Sequence, residues 1–198
     1  MGVLRKVTGL RLALLLALWM PIAAPAETPT AETPTAQTAE LSLPDLHGQQ
    51  HSLAEYRGKI LVVNFWATWC GPCRHEMPLF ADALKHYGND HVQMVAISLD
   101  DETTRAKIPD FADKQKMTFP ILLGSTDAMQ KLGLGEGVPA TAFIDGEGRV
   151  VAKILGELSK SELKARLDFM LGQSGKEPPA VINNLNKKKD EPMVPVMR

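Results

Sequence analysis

A strand that leads directly into a pair of cysteines is the feature that most constrains this chain. Residues 59–67, KILVVNFWA, form a near-continuous apolar run rich in branched and aromatic side chains, which is typical of a strand covered on both faces. The next residues, TWCGPCRHEMP, hold both cysteines of the 198-residue chain, Cys70 and Cys73. We therefore predict a central strand with two thiols at its end.

A helix is predicted to follow the cysteines. Apolar residues recur at intervals of three and four up to Gly88, namely Met77, Phe80, Leu84 and Tyr87. Cys70 then lies at a strand-to-helix junction, where unpaired amide groups and the helix dipole favour a thiolate. Pro72 suits the first turn. Because two residues separate the cysteines, the turn brings Cys73 within bonding range of Cys70.

Strands and helices alternate through the rest of the pattern. The predicted elements are a strand at 92–99, a polar helix from Asp100 to about Lys116, a short strand at 119–123, a short helix at 127–132, a hairpin of 141–145 with 149–154, and a helix with a capping box of Ser159 and Glu162 that ends at Gly172. This order predicts an α/β fold with a mixed central sheet and helices on both faces.

The flanking segments differ from this domain in composition. Residues 1–26 combine basic residues, the apolar run LALLLALWM and a small-residue cleavage site, as in a secretory signal peptide; an uncleaved membrane anchor is the alternative. Residues 27–40 form a linker of Pro, Thr, Ala and Glu, residues 41–172 a single domain, and residues 173–198 a tail that we expect to be disordered. The protein is thus expected in the periplasm, with a membrane tether if the first segment is retained.

The charge of the domain excludes one class of partner. Residues 41–172 contain 14 Lys or Arg against 17 Asp or Glu. Because no basic face or aromatic-interleaved basic run is present, we expect no nucleic acid partner.

Three chemical interpretations of the cysteine pair compete. A structural disulfide is disfavoured, since a bridge between residues three apart closes a very small loop and constrains the unfolded chain little. A metal site with His75 as third ligand lacks a second ligand pair, and the other histidines show no ligand spacing. We therefore predict a redox site at Cys70 and Cys73, with no metal and no other cofactor.

The motifs in combination identify a family resemblance. GKILVVNFWATWCGPCRHEMP, FPILL and GVPATAFIDGEGRVV, together with the secretory segment, resemble TlpA-like bacterial thiol-disulfide oxidoreductases of the thioredoxin superfamily over about residues 41–172. The resemblance implies a thioredoxin-like fold with an N-terminal extension and a central inserted helix and strand. It also implies an enzyme, a thiol-disulfide oxidoreductase.

The resemblance assigns roles to individual residues. Cys70 matches the nucleophilic cysteine, and Cys73 matches the resolving, more buried one. Pro139 matches the cis-proline that lies against the active-site sulfurs, and Val138 before it keeps a backbone that can pair with an extended substrate peptide.

The residues around the cysteines complete the predicted substrate-binding group. Trp69 offers an apolar contact for substrate beside the reactive sulfur. Gly71 and Pro72 are the thioredoxin dipeptide, which favours a reductant. Trp66 is expected either to pack in the core or to flank the site.

Two positions depart from the family pattern. Asn64 stands where ordinary thioredoxins have a buried aspartate that helps to move the proton of the resolving cysteine. Glu76, one helical turn after Cys73, is the candidate replacement and matches a glutamate of TlpA-like proteins; its alternative is a solvent-facing helix residue. Ala140 stands where members dedicated to cytochrome c maturation often have glutamate.

These observations predict a monomeric periplasmic reductant of protein disulfides, with cytochrome c precursors or copper-handling proteins as substrates. The resemblance implies that its electrons come from a membrane-embedded thiol transporter. Three alternatives stay open: an oxidant or isomerase of secreted thiols, a copper-binding module without catalysis, and a thiol peroxidase, although Val63 and Ala67 occupy the Pro and Thr positions of the peroxidase motif.

Overall fold

A computed structural model describes residues 41–88 and 90–185, and all structural statements below concern these ranges. The predicted signal peptide and linker, and the last residues of the predicted tail from 186 onward, lie outside the described residues. No helix within the described ranges has both the length and the apolar character needed to cross a bilayer.

The strands form a hairpin and a six-stranded sheet. Their bounds are Ser42–Pro44 (β1), Gln50–Ser52 (β2), Ile60–Trp66 (β3), Val92–Ser98 (β4), Ile121–Leu123 (β5), Ala140–Ile144 (β6), Val150–Leu155 (β7) and Val181–Asn183 (β8). The sheet order is β5-β4-β3-β6-β7-β8, with β3, β4 and β5 parallel and β6 antiparallel to both β3 and β7. The predicted mixed sheet is confirmed, with β3 near its centre.

The helices follow the predicted order. They are Cys73–Tyr87 (α1), Ile108–Gln115 (α2), Thr126–Lys131 (α3) and Lys160–Met170 (α4), with short 3-10 turns at Leu53–Tyr56 and Arg105–Lys107. The capping box predicted at α4 is present, since Ser159 and Glu162 each accept a backbone hydrogen bond from the other residue. The inserted helix and strand correspond to α2 and β5.

The central strand is buried throughout. All seven residues of β3 are buried, and Val63, Phe65 and Trp66 have no exposed surface. The Trp66 ring packs on Phe111 of α2 with 4.6 Å between ring centroids. Trp66 is therefore a core residue that joins the inserted helix to the strand leading to the cysteines.

The helix predicted from Asp100 begins later than expected. α2 starts at Ile108, after a turn at 102–104 and the short 3-10 turn at Arg105–Lys107. Asp101 Oδ1 accepts from the amides of Thr103 and Thr104 and forms a turn. Asp100 is buried and bonds back to the segment before Cys70.

The predicted disorder of residues 173–198 is wrong for β8. This strand pairs in parallel with β7, in the register Lys153↔Val181 to Leu155↔Asn183. The buried Arg166 side chain of α4 donates to the carbonyl oxygens of Pro178, at 2.7 Å, and Pro179. Unpaired backbone groups at the β7 edge and a buried guanidinium both need partners, and this C-terminal extension, residues 178–184, supplies them.

Candidate active site

The two cysteines form a disulfide where β3 gives way to α1. The Cys73 amide donates to Cys70 Sγ at 3.2 Å, so the sulfur of Cys70 faces the start of the helix as predicted. The predicted difference in burial is absent, because both cysteines have no exposed surface. The helix start nevertheless distinguishes them, since its amide and dipole favour negative charge on Cys70.

A buried aspartate holds the segment that precedes Cys70. Asp100 Oδ2 accepts from the Thr68 amide at 2.9 Å and from Ser98 Oγ at 2.8 Å, and Oδ1 accepts from Thr68 Oγ1. Asp100 lies two residues after the end of β4, so the segment after one strand fixes the loop after its parallel neighbour. Sequence reasoning missed this residue, although a Ser-x-Asp sequence at the end of a buried strand could have indicated it.

Glu76 is buried in the interior and does not face solvent. It lies one turn after Cys73 on α1, with no exposed surface. Its Oε2 accepts from Asn64 Nδ2 at 3.2 Å, and its Oε1 accepts a short hydrogen bond from the Leu158 amide. The structure thus brings together Glu76 and Asn64, the two positions that the sequence analysis linked to the proton of the resolving cysteine.

Burial controls the ionisation of Glu76. It raises the pKa of the carboxyl to about 8, although the hydrogen bonds from Leu158 and Asn64 oppose the shift; the charges of Glu157 and Glu162 add to it. The ordinary pKa of a cysteine thiol is about 8.5. A carboxyl with this pKa can exchange a proton with a neighbouring thiol at little cost in free energy.

Asn64 and Thr141 link Glu76 to the sheet. Asn64 Nδ2 donates to Thr141 Oγ1 at 3.0 Å, and Asn64 Oδ1 has no hydrogen-bond partner within the described residues. In the observed orientation, the Asn64 side-chain amide donates to the Glu76 carboxylate. If the Asn64 side chain rotates, its Oδ1 can accept a hydrogen bond from the protonated Glu76 carboxyl. Neither Thr141 nor Leu158 was predicted from the sequence, because both contacts are long-range.

The segment before β6 reaches the same end of the sheet as Cys70. The Val138–Pro139 peptide bond is cis, as the resemblance implied. Ala140 pairs with Phe65, so Pro139 lies beside the end of β3. The Pro139 carbonyl accepts from the Gly156 amide at 2.9 Å, whereas the amide and carbonyl of Val138 make no hydrogen bond to another residue of the described ranges.

The surface around the disulfide contains the predicted contact residues. Trp69, Gly71 and Pro72 are all partly exposed. His75 is exposed, and its Nδ1 lies 3.2 Å from Glu157 Oε1. Among the residues that the structure describes, no group of three or more His, Cys, Asp or Glu side chains is arranged to hold a metal ion.

Comparisons with known proteins agree with this geometry. The profile of the AhpC/TSA family matches residues 34–153. The thiol-disulfide oxidoreductase ResA of Geobacillus thermodenitrificans is 34% identical over 140 residues, which cover 70% of this chain and 79% of that protein.

Solved structures show the same fold. The structure of dsbF from MTB is 27% identical with a TM-score of 0.59, covering 70% of this chain and 99% of that one. A thioredoxin family thiol:disulfide interchange protein from Chlorobium tepidum TLS is 26% identical with a TM-score of 0.58, covering 67% and 93%. With its paired cysteines at the start of α1, the chain belongs to the TlpA-like thiol-disulfide oxidoreductases of the thioredoxin-like AhpC/TSA family.

Proposed function

We propose that this oxidoreductase reduces disulfides of exported proteins by dithiol-disulfide exchange at Cys70 and Cys73. The observation that carries the proposal is the buried carboxyl of Glu76, one turn from Cys73, with a pKa raised to about 8. A reductant must deprotonate its second thiol to release the substrate, and Glu76 can accept that proton. The same proton transfer, run in reverse, serves oxidation of a dithiol, so the reducing direction rests on the Gly71-Pro72 dipeptide.

The reaction proceeds in two exchanges. The Cys70 thiolate attacks one sulfur of the substrate disulfide, a mixed disulfide forms, and the other substrate sulfur leaves as a thiolate that takes up a proton. Cys73 then gives its proton to Glu76, and its thiolate attacks the Cys70 sulfur. The second substrate thiolate leaves and is protonated. Two electrons have then passed from the enzyme to the substrate. One of the two protons comes from Cys73 through Glu76, and the other comes from solvent, which took up the Cys70 proton when the thiolate formed.

The surface around the disulfide supports binding of an extended peptide. The free amide and carbonyl of Val138 can pair with a substrate backbone in the manner of an added strand, beside Pro139. Trp69 supplies an apolar contact, and Gly71 and Pro72 complete the partly exposed rim. Because both sulfurs are buried in the oxidised protein, reaction requires this rim to open or the substrate to displace it.

The location and partners of the enzyme follow from residues 1–26 and from its chemistry. A secretory segment would place it in the periplasm, cleaved or tethered to the membrane. A reductant in an oxidising compartment needs a supply of electrons, for which a membrane-embedded thiol donor is suited. We propose that it acts as a monomer on cytochrome c precursors or copper-handling proteins.

The equilibrium reduction potential of the Cys70–Cys73 pair tests this direction of electron flow. We expect about −250 mV or lower, near the value of thioredoxin, in glutathione and dithiothreitol buffers. A potential above about −150 mV would instead identify an oxidant or isomerase of secreted thiols and would overturn the proposal.

A further inference from the structure

The loop between β7 and α4, residues 156–158, touches the active site on one side. The Gly156 amide donates to the Pro139 carbonyl at 2.9 Å, and the Leu158 amide donates to Glu76 Oε1. The side chain of Glu157 lies 3.2 Å from His75 of α1. This loop therefore contacts both Pro139, which lies beside the end of β3, and the carboxyl one helical turn after Cys73.

The C-terminal extension holds the other side of the same loop. The Asn184 amide donates to the Leu155 carbonyl at 2.7 Å. Asn184 Nδ2 donates to the Glu157 carbonyl at 2.8 Å and lies 3.2 Å from both carboxylate oxygens of Glu162. Gly156 packs closely against the extension, since a Cβ there would lie 2.9 Å from the carbonyl carbon of Asn184.

These contacts meet in one peptide group. The Glu157 carbonyl, which accepts from Asn184, and the Leu158 amide, which donates to Glu76, belong to the same peptide unit. Because a peptide unit is planar, fixing its carbonyl also fixes the direction of its N–H. A hydrogen bond at the carbonyl also polarises the unit and strengthens the donor at its other end.

We propose that Asn184 is a positioning residue of the redox centre, orienting the 157–158 peptide so that the Leu158 amide stabilises the Glu76 carboxylate. This inference rests on the proposed role of Glu76 as proton carrier. The extension that provides Asn184 lies beyond residues 34–153, which match the family profile. It is anchored independently by β8 and by the buried Arg166.

Other groups around Glu76 define what must be held constant in a test. The titratable or charged groups are His75 on the same helix, Glu157 on the loop and Glu162 on α4. The neighbours on the sheet, Asn64 and Thr141, do not titrate.

The test is a titration of Glu76 in the oxidised protein, where neither thiol ionises. The full-length chain carries ¹³C-labelled glutamate, and the Glu76 carboxyl signal is assigned by its loss in Glu76→Gln. We expect Asn184→Ala to raise the midpoint by about half to one pH unit, a threefold to tenfold change in ionisation constant, since one hydrogen bond is weakened. The pH profile of disulfide reduction should shift by the same amount. An unchanged midpoint in folded Asn184→Ala would overturn the proposal.

Two further variants separate an effect through the 157–158 peptide from a general effect of changing the C-terminal extension and from an effect of the Glu162 charge. Asn183→Ala removes the exposed side chain next to Asn184, together with the hydrogen bond that Asn183 Oδ1 accepts from the Leu185 amide. It should leave the midpoint unchanged, because Asn183 makes no hydrogen bond to the 157–158 peptide. In a Glu162→Gln background, Asn184→Ala should still raise the midpoint; loss of the effect there would mean that Asn184 acts only through the Glu162 charge, and would contradict the proposal.

Hydrogen exchange supplies a second measurement if Asn184→Ala is poorly folded. In the milder Asn184→Ser, the Leu158 amide should exchange faster than in the wild type, whereas Asn183→Ala should not change it. Equal exchange in all three proteins would overturn the proposal. Neither the titration nor the hydrogen exchange depends on the direction of electron flow, so a failure of the reductant assignment would leave these two measurements intact.

Discussion

Two buried carboxyl groups flank the cysteine pair, and they differ in what surrounds them. Asp100, which holds the segment before Cys70, accepts hydrogen bonds from the Thr68 amide and from the hydroxyls of Thr68 and Ser98. Glu76, one helical turn after Cys73, accepts one hydrogen bond from a backbone amide and one from a side chain. It has no exposed surface, and the carboxylates of Glu157 and Glu162 lie nearby. The hydrogen bonds of Asp100 hold a loop, whereas the surroundings of Glu76 leave a carboxyl that can gain and lose a proton.

The largest expected effect is the pH dependence of stability that Glu76 confers. Glu76 has a pKa of about 8 in the folded protein and 4.5 as a free side chain. Its contribution to stability is therefore complete below pH 4.5 and is lost as the pH rises through 8. Urea unfolding of the oxidised protein should show a loss of about 4 kcal/mol between pH 5 and 8 that Glu76→Gln lacks. Parallel curves for both proteins would contradict this assignment.

Asp100→Ala should lower stability through lost hydrogen bonds. The change leaves the Thr68 amide and the two hydroxyls without their buried acceptor, which should cost about 3 kcal/mol in the free energy of unfolding. Asp101→Ala, at the exposed neighbouring position, is the control and should cost about 1 kcal/mol or less. Equal losses for the two variants would show that Asp100 does not hold the loop.

Catalysis should depend on Glu76. Glu76→Gln keeps the shape and the hydrogen bond from Leu158 but cannot accept a proton, so disulfide reduction should slow by about 100-fold. The mixed disulfide should accumulate, because Cys73 resolves it slowly, and mass spectrometry would detect it. Asp82→Asn, at an exposed position of the same helix, should react at the wild-type rate. If Glu76→Gln reduced disulfides at the wild-type rate, Glu76 would not be the proton carrier of the mechanism.

The smallest effects should come from the hydroxyls of the two networks. Thr141→Val removes one buried hydrogen bond and Ser98→Ala removes two, and each variant should cost about 1 to 2 kcal/mol of stability. Only Thr141→Val should also shift the Glu76 titration, because Thr141 contacts the Asn64 amide that pairs with that carboxyl. An equal shift in Ser98→Ala would mean that the two networks are coupled.

Local patterns predicted much of this molecule. The apolar run of β3, the spacing of Cys70 and Cys73 and the capping box at Ser159 are each contained within a few residues, and the structure has all three. The late start of α2 was not predicted: Asp101 caps only a turn and a short 3-10 segment, and Asp100 bonds to the distant Thr68. The strand β8 was missed because a three-residue strand has almost no periodicity of its own.

The sequence by itself determined the fold class, the disulfide at the start of a helix and the identity of the residues that could carry a proton. Only the tertiary structure decided that Glu76 is buried, that Asn64 and Leu158 are its partners, and that Asn184 holds the peptide unit that contains the Leu158 amide. The physical reason is that propensity and periodicity act over a few residues. Burial and hydrogen-bond partnership depend on segments that are up to 82 residues apart, which only the folded sheet brings together.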